Sequence, residues 1–302
     1  MRVGLVGAGQ WARTMHAPLH TSGAETGLTG VWSPRPERAA ALARDFGVRA
    51  FRSFGELLES SEAVDFAVPP AVQAELAIEA ALAGRALLLE KPLAASLGDA
   101  TRLVETIETA GVANLVILTK RYHARTREFL ARTSALSGPV LAVTGRYVHG
   151  GFLASGFIDE SERSGWRASL GVLYDLGPHL LDLADAAAGA ITAVSATGDP
   201  GEVILLETEH EGGARGQFVI SGRVETPIVL TDLDVYANEA QLSYTTRGLE
   251  LTEAMSTLRG EFAAAVRTGS PVTVDTRRAL TTERVVDAAA RSLADGRSVS
   301  LP

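Results

Sequence analysis

Val3-Gly4-Leu5-Val6-Gly7-Ala8-Gly9-Gln10-Trp11-Ala12 decides the fold of the first part of the chain. An apolar run, a glycine-rich turn and a helical pattern follow one another without a gap. The spacing Gly7-x-Gly9-x-x-Ala12 is a dinucleotide fingerprint, and each position has a physical reason. Gly7 permits the tight turn. Gly9 has no Cβ to hold a pyrophosphate away from the backbone, and Ala12 lets the helix lie close on the sheet. A helix start there offers N–H groups and a positive dipole end to phosphates. Ala8, Gln10 and Trp11 complete the turn expected at the cofactor. An ordinary glycine turn before an amphipathic helix looks the same locally, so the rest of the chain has to decide.

Residues 1–118 continue the pattern. Apolar runs without alternation occur at Val3–Val6, Gly30–Ser33, Val64–Val68, Leu87–Leu89 and Leu115–Leu118, as parallel strands buried on both faces require. Helical segments at Pro36–Phe46, Gln73–Ala83 and Ser96–Ala110 separate them. Pro36 suits a first helical position, Ser96 with Asp99 makes a capping-box-like start, and Gly84 and Gly111 suit helix ends. This alternation predicts a doubly wound parallel sheet, a Rossmann domain over 1–118.

After Lys120 the pattern changes. His123–Leu136 reads as helix and Val140–Val148 as strand, and the Gly/Ser-rich Gly151–Arg167 reads as a loop carrying Phe152, Phe157 and Trp166. A helix is expected over Val172–Ala188. Strands then crowd together at Ile191–Ala196, Val203–Thr208, Gly216–Val224, Val229–Val235 and Gln241–Thr245, with Glu211-Gly212-Gly213 as a hairpin turn. Helices at Glu253–Thr268 and Arg277–Ala294 close the chain. Strands in succession predict a mostly antiparallel sheet, so 119–302 is expected to be an α+β domain.

Composition bounds the function. The chain has 302 residues, 46% hydrophobic and 21% charged, with a formal net charge of -8. That balance argues against nucleic acid or an anionic membrane as the main partner. There is no cysteine, hence no disulfide, thiolate nucleophile or cysteine–zinc site. No leader pattern and no apolar run of about 18 residues is present, so the expected location is the cytoplasm.

Two further stretches carry chemistry. Glu90-Lys91-Pro92 follows Leu87–Leu89, and ligands of open parallel sheets bind beyond the carboxyl ends of the strands. In Tyr174-Asp175-Leu176-Gly177-Pro178-His179-Leu180-Leu181-Asp182, Asp175 and His179 share a helix face. Pro178 has no N–H, so it either kinks this helix or sits in its first turn. Read alone, the first is a surface lysine and the second a helix-surface ion pair. No third ligand cluster or nucleophile motif accompanies them, which argues against a zinc pair or a hydrolytic dyad, and no metal is expected.

Taken together, the chain resembles the Gfo/Idh/MocA oxidoreductases, which include glucose-fructose oxidoreductase and inositol dehydrogenase. The resemblance spans nearly the whole chain. It rests on Gly7-x-Gly9-x-x-Ala12, Trp32-Ser33-x-Arg35-Pro36-Glu37-Arg38-Ala39, Glu90-Lys91-Pro92, Arg121-Tyr122 and Gly171-x-Leu173-x-Asp175-x-Gly177-x-His179-x-x-Asp182, with the last helices and Ser298–Leu301. It implies a Rossmann domain followed by an open-faced sheet domain, and hydride transfer between nicotinamide and a sugar, polyol or related substrate. It places Lys91, Asp175 and His179 at the catalytic positions. It places Arg121, Tyr122 and Trp166 at the substrate, and Pro69 and Glu90 beside the cofactor. The chemistry of the residues agrees: a histidine near neutral pKa suits the hydroxyl proton, and a lysine cation stabilises an alkoxide. Lys91 and His179 are expected to act on one hydroxyl or carbonyl.

An acid at the end of the second strand would favour NAD, but Ser33 stands there, with Arg35 and Arg38 able to meet a 2′-phosphate. The cofactor is therefore expected to be NADP or NAD, leaning to NADP. Departures from the family pattern are Ser169-Leu170-Gly171 in place of a glycine run, a short chain, and Tyr236-Ala237-Asn238-Glu239 at an expected glycine turn. The sheet resembles one used for dimers, so a homodimer or homotetramer is expected. The alternation of Val229, Thr231, Leu233 and Val235 with Leu230, Asp232 and Asp234 makes one face more polar than a dry interface. A non-catalytic NAD(P) sensor and an NAD-dependent glycoside hydrolase are the competing functions.

Overall fold

The strands of the first part are nearly continuous apolar runs, and the computed structural model stacks them side by side. It describes residues 1–302 except Asp159, Ser164 and Pro227, and at Ser161 and Glu162 the backbone alone. In chain order come β1 (Arg2–Val6), a π-helical turn (Ala12–His16) running into α1 (Ala17–Thr21), and β2 (Gly27–Trp32). Next are α2 (Pro36–Phe46), β3 (Arg49–Ala50), α3 (Phe54–Ser60), β4 (Ala63–Phe66) and α4 (Pro70–Leu82). Then follow β5 (Ala86–Leu89), α5 (Leu97–Ala110) and β6 (Asn114–Val116). The six strands form one sheet in the order β3-β2-β1-β4-β5-β6, every pair parallel. This is the doubly wound order, with the reversal between β1 and β4. Val3, Leu5, Val64, Phe66, Leu87 and Leu89 are fully buried, as strands covered on both faces require. Ser96 caps α5 by accepting the Asp99 N–H at 3.1 Å, the start that the sequence predicts. The short elements β3 and α3, and the π turn, are not visible in the periodicity.

The second part begins after a 3₁₀ turn (Thr119–Tyr122). It contains α6 (Ala124–Ser134), β7 (Val140–Val148), α7 (Glu160–Arg163), α8 (Trp166–Ala188), β8 (Ile191–Asp199) and β9 (Val203–His210). After these come β10 (Arg215–Ser221), β11 (Leu230–Ala237), β12 (Gln241–Thr245), α9 (Leu251–Thr268), α10 (Thr276–Asp295) and β13 (Val299–Ser300). Seven strands make a second sheet, β12-β11-β7-β10-β9-β8-β13. It is antiparallel apart from the parallel pair β7–β10. One face packs on α8: Val143, Leu206, Phe218, Ile220, Leu233 and Val235 join Leu173, Leu176 and Leu180 in a single core. The other face carries Arg215, Gln217, Glu207 and Glu209 with the exposed apolar residues Val203, Leu205 and Val219.

Three expectations are corrected. The Gly151–Arg167 stretch is not a simple loop: α7 forms within it and α8 starts at Trp166, although Asp159 and Ser164 lie outside the described residues. The break in α8 falls at Gly171 (φ 74°, ψ -175°), not at Pro178, which stands inside the helix beyond it. The expected glycine turn after β11 works without glycine. The Ala237 N–H donates to Ala240 C=O, and the Glu239 carboxylate accepts the Gly138 N–H at 2.8 Å.

The chain divides into two compact units, Met1–Tyr122 with Leu251–Leu280, and His123–Glu250 with Thr281–Pro302. Helix α9, which a division at residue 118 would assign to the second part, packs on the first. Its Leu258 and Phe262 are fully buried with Met15, Leu19, Leu88 and Leu115. Among the described residues no helix is long and apolar enough to cross a membrane.

Candidate active site

In the first unit the glycine turn has the shape its sequence requires. Gly7 has φ +116°, and a Cβ there would fall 2.2 Å from the Ala67 carbonyl oxygen. Its N–H donates to Trp32 C=O at 2.9 Å. The turn is thus wedged between the ends of β1, β2 and β4, where only glycine fits. Gln10 and Trp11 open the helix, and Ala12 is buried against Leu5, Val31 and Leu42, the close helix–sheet contact that the fingerprint predicts. This backbone cradle at a helix start fits a dinucleotide pyrophosphate. Ser33 follows β2 and accepts the Arg35 N–H at 3.2 Å. Arg35 and Arg38 are exposed on the first turns of α2, and Pro69 is exposed just before α4.

The Glu90-Lys91-Pro92 turn is pinned by one residue that the motifs do not include. Gln73 on α4 is fully buried. Its Oε1 accepts the Glu90 N–H at 2.9 Å, and its Nε2 donates to the carbonyls of Glu90 (2.8 Å), Leu93 (3.1 Å) and Pro92 (3.2 Å). A single amide therefore fixes the backbone on both sides of Lys91. The Glu90 carboxylate faces back: it accepts Trp11 Nε1–H at 2.8 Å and the Lys91 N–H at 3.1 Å.

Beneath that carboxylate lies a buried polar cluster, also outside the motifs. Asp65 sits at zero exposure in β4. His16 Nδ1 is 2.9 Å from both of its oxygens, and His20 Nε2 is 3.0 Å from Oδ2. His20 Nδ1 meets Thr26 Oγ1 at 2.9 Å. On its other side His16 Nε2 stands 3.3 Å from Glu90 Oε1, at ion-pair distance but not aligned as a hydrogen bond. Burial alone would lower the His16 pKa, but the Asp65 carboxylate, helped by Glu90, overcomes it and raises the value to about 10. Burial likewise opposes ionisation of Asp65, and the charge and hydrogen bonds of His16 and then His20 bring it to about 2. The sequence did hold a signal: a lone acid in the apolar run Ala63–Phe66, and two histidines four apart.

In the second unit Asp175 and His179 lie on α8 beyond the Gly171 break, both buried. Asp175 Oδ2 accepts from Arg167 Nε at 3.0 Å, and the Arg167 guanidinium stacks over Trp166 at 4.4 Å. The His179 ring meets Tyr147 edge-on at 5.9 Å. Burial, and then the Asp175 charge, raise the Tyr147 pKa. A cavity of about 680 Å³ in this unit is lined by Phe152, Arg163, Arg167, Leu170 and Arg223 among others. Leu170, one of the departures from a glycine run, is therefore a wall residue. Of the residues expected at a substrate, Arg121 is half-buried in the first unit. Tyr122 is fully buried in that unit's core, and its hydroxyl donates to Val116 C=O at 3.0 Å.

A doubly wound sheet with this turn defines a dinucleotide-binding domain. Residues 1–118 match the Gfo/Idh/MocA oxidoreductase family, NAD-binding Rossmann fold. It is 27% identical over 184 residues to glucose-6-phosphate 3-dehydrogenase of Bacillus subtilis, covering 60% of this chain and 52% of that protein. The chain thus matches about half the length of that relative. It is 28% identical over 292 residues to D-xylose 1-dehydrogenase (NADP(+)) 2 of Haloferax volcanii, covering 87% and 89%. In fold it superposes on GenD2 from gentamicin A biosynthesis, solved in complex with NAD. The TM-score is 0.86 at 24% identity, over 100% of this chain and 96% of that one.

The buried pair sets a pH dependence of stability. His16 is raised from 6.5 to about 10, so its contribution is complete below pH 6.5 and is lost as pH rises toward 10. Asp65 is lowered from 3.8 to about 2, so its contribution is complete above pH 3.8 and is lost as pH falls toward 2. Asp65→Asn, which removes the counter-ion of a buried charge, should cost about 3–5 kcal/mol. Urea unfolding of wild type and variant across pH should show that gap widest between pH 3.8 and 6.5 and narrowing toward alkaline pH. A gap independent of pH would contradict the pairing.

Proposed function

We propose that the protein is an NAD(P)-dependent dehydrogenase that moves hydride between nicotinamide and a secondary alcohol or ketone of a sugar, polyol or related small molecule. One observation carries this reading. The chain that holds the dinucleotide cradle also pins Lys91 in a turn at the carboxyl end of β5, where ligands of such sheets bind. The named activities of the two sugar dehydrogenase relatives support the substrate class. When bound, a nicotinamide dinucleotide supplies the hydride acceptor or donor. Gly7, Ala8, Gly9, Gln10, Trp11 and Ala12 are proposed to hold its pyrophosphate. In the oxidative direction His179 takes the hydroxyl proton as hydride leaves carbon. The Lys91 ammonium stabilises the oxyanion as it forms, and Asp175, held by Arg167, binds a substrate hydroxyl or steadies the imidazole. Arg121 and Trp166 are the further substrate contacts proposed.

The cofactor is proposed to be NADP in preference to NAD. Ser33 supplies no negative charge after β2, and the exposed Arg35 and Arg38 are placed to pair with a 2′-phosphate. The chain is further proposed to form a homo-oligomer through the outer face of the second sheet, where Val203, Leu205 and Val219 are exposed together.

Four measurements test these statements. A panel of hexoses, pentoses and inositols, followed by nicotinamide absorbance with each cofactor, should reveal turnover. On the substrate so found, Lys91→Ala and His179→Ala should each lower kcat by about 10²–10⁴ with little change in cofactor affinity, and their effects should not add. A folded His179→Ala enzyme within about threefold of wild type would refute the base assignment. Ser33→Asp with Arg35→Ala should shift the NADP/NAD affinity ratio toward NAD by about tenfold or more; an unchanged ratio refutes the phosphate contact. Light scattering at micromolar concentration should give a multiple of 31.7 kDa, and a monomer would rule out the interface.

A further inference from the structure

The two nitrogens of His16 face two different carboxylates. Nδ1 is 2.9 Å from Asp65 and Nε2 is 3.3 Å from Glu90. A neutral imidazole carries one N–H, so one carboxylate would meet a lone pair at close range in a fully buried site. Only the imidazolium presents a proton to each. The ring is at zero exposure, and a charge there is tolerated only between partners of opposite sign. Glu90, in turn, touches both functional turns of this unit. Its Oε1 accepts the indole N–H of Trp11, inside the glycine turn, and its Oε2 accepts the backbone N–H of Lys91.

We propose that His16 is a positioning residue: held as a buried imidazolium between Asp65 and Glu90, it keeps the Glu90 carboxylate ionised and oriented, and that carboxylate ties the glycine turn to the turn bearing Lys91. The titratable groups placed against the ring are Asp65 on β4, Glu90 after β5 and, through Asp65, His20 on α1. Asp65 anchors the ring from below, and His20, bonded to Thr26, completes the shell of Asp65. Without the charge, Glu90 would keep its two N–H donors but lose the cation opposite Oε1. It would then be freer to turn toward solvent. The proposal rests on the functional reading above only for the consequence at the cofactor; the tie itself is made by protein groups alone.

The test is histidine ¹⁵N NMR on the full cofactor-free chain, with His16 assigned by loss of its signal in His16→Gln. The imidazolium pattern of His16 should persist through about pH 8.5, well above the ordinary range near 6.5. In Glu90→Gln and in Asp65→Asn its titration should move down; Glu90→Gln keeps the test open where Asp65→Asn fails to fold. The Trp11 indole N–H resonance, assigned with Trp11→Phe, should shift in His16→Gln although residue 16 does not bond to it. Calorimetry should show the dinucleotide Kd raised about tenfold in His16→Gln and in Glu90→Gln, with the double variant no worse than either single one. A packing role alone would not produce that non-additivity or move the indole resonance. Deprotonation of His16 between about pH 6 and 7.5 in wild type, or a Trp11 signal blind to His16→Gln, would overturn the proposal. Wild-type protein that shows the charged ring and the indole shift but binds neither NAD nor NADP would refute the functional reading and leave the proposal standing.

Discussion

Asp65 places a carboxylate at zero exposure in a strand whose other three residues are apolar and buried. Such a charge is stable only if it is paired and hydrogen-bonded on all sides, and much of the first unit is arranged around that need. The helix after the glycine turn widens into a π turn at Ala12–His16 before continuing as α1. One extra residue in a turn shifts the phase between the helix start and the face that follows it. The start can then serve the glycine turn while His16 and His20 both reach Asp65. From His16 the same set of contacts runs on to Glu90, and from Glu90 to Trp11 and Lys91.

The second unit solves a different local problem. Arg167 and Asp175 are eight residues apart on α8, which on an unbroken helix would separate them by about 12 Å along the axis. Nevertheless their Nε and Oδ2 atoms are 3.0 Å apart. The break at Gly171, at a φ that side chains other than glycine rarely adopt, folds the first helical piece back far enough for the pair to form. Gly171 is thus a geometric requirement of the Asp175 environment.

Periodicity made most of the architecture legible. Strands such as Leu87–Leu89 are uniformly apolar because both faces are covered, and the single run Val140–Val148 was bounded correctly by its turn residues. The elements that escaped were short: two residues in β3, seven in α3 and five in the π turn hold too few residues to show a period. At the candidate site, Gly7, Lys91, Asp175 and His179 stand in motifs, and motifs are local. Gln73, His16 and Asp65 do not. Each is a polar residue whose meaning lies in a partner far along the chain, and one sequence shows the oddity of Asp65 in β4 without showing what meets it. The Gly151–Arg167 stretch misled for another reason. Its glycines and serines read as loop, while Trp166 and Arg167 already belong to α8.

Neither unit is made from one uninterrupted stretch of chain. Strand β7 is flanked by β10 and β11, so residues 140–148 have no sheet neighbour until 215–221 and 230–237 have been synthesised. The first unit waits longer still. Met15, Leu19, Leu88 and Leu115 are covered in part by Leu258 and Phe262 of α9, which leave the ribosome after every strand of both sheets except β13. During translation the Rossmann sheet therefore exists for some time with one apolar patch bare, and long-range closure of this kind slows folding and leaves nascent chains adhesive. The order of the genetic message, rather than the strength of any contact, sets how long this chain depends on protection before it can stand alone.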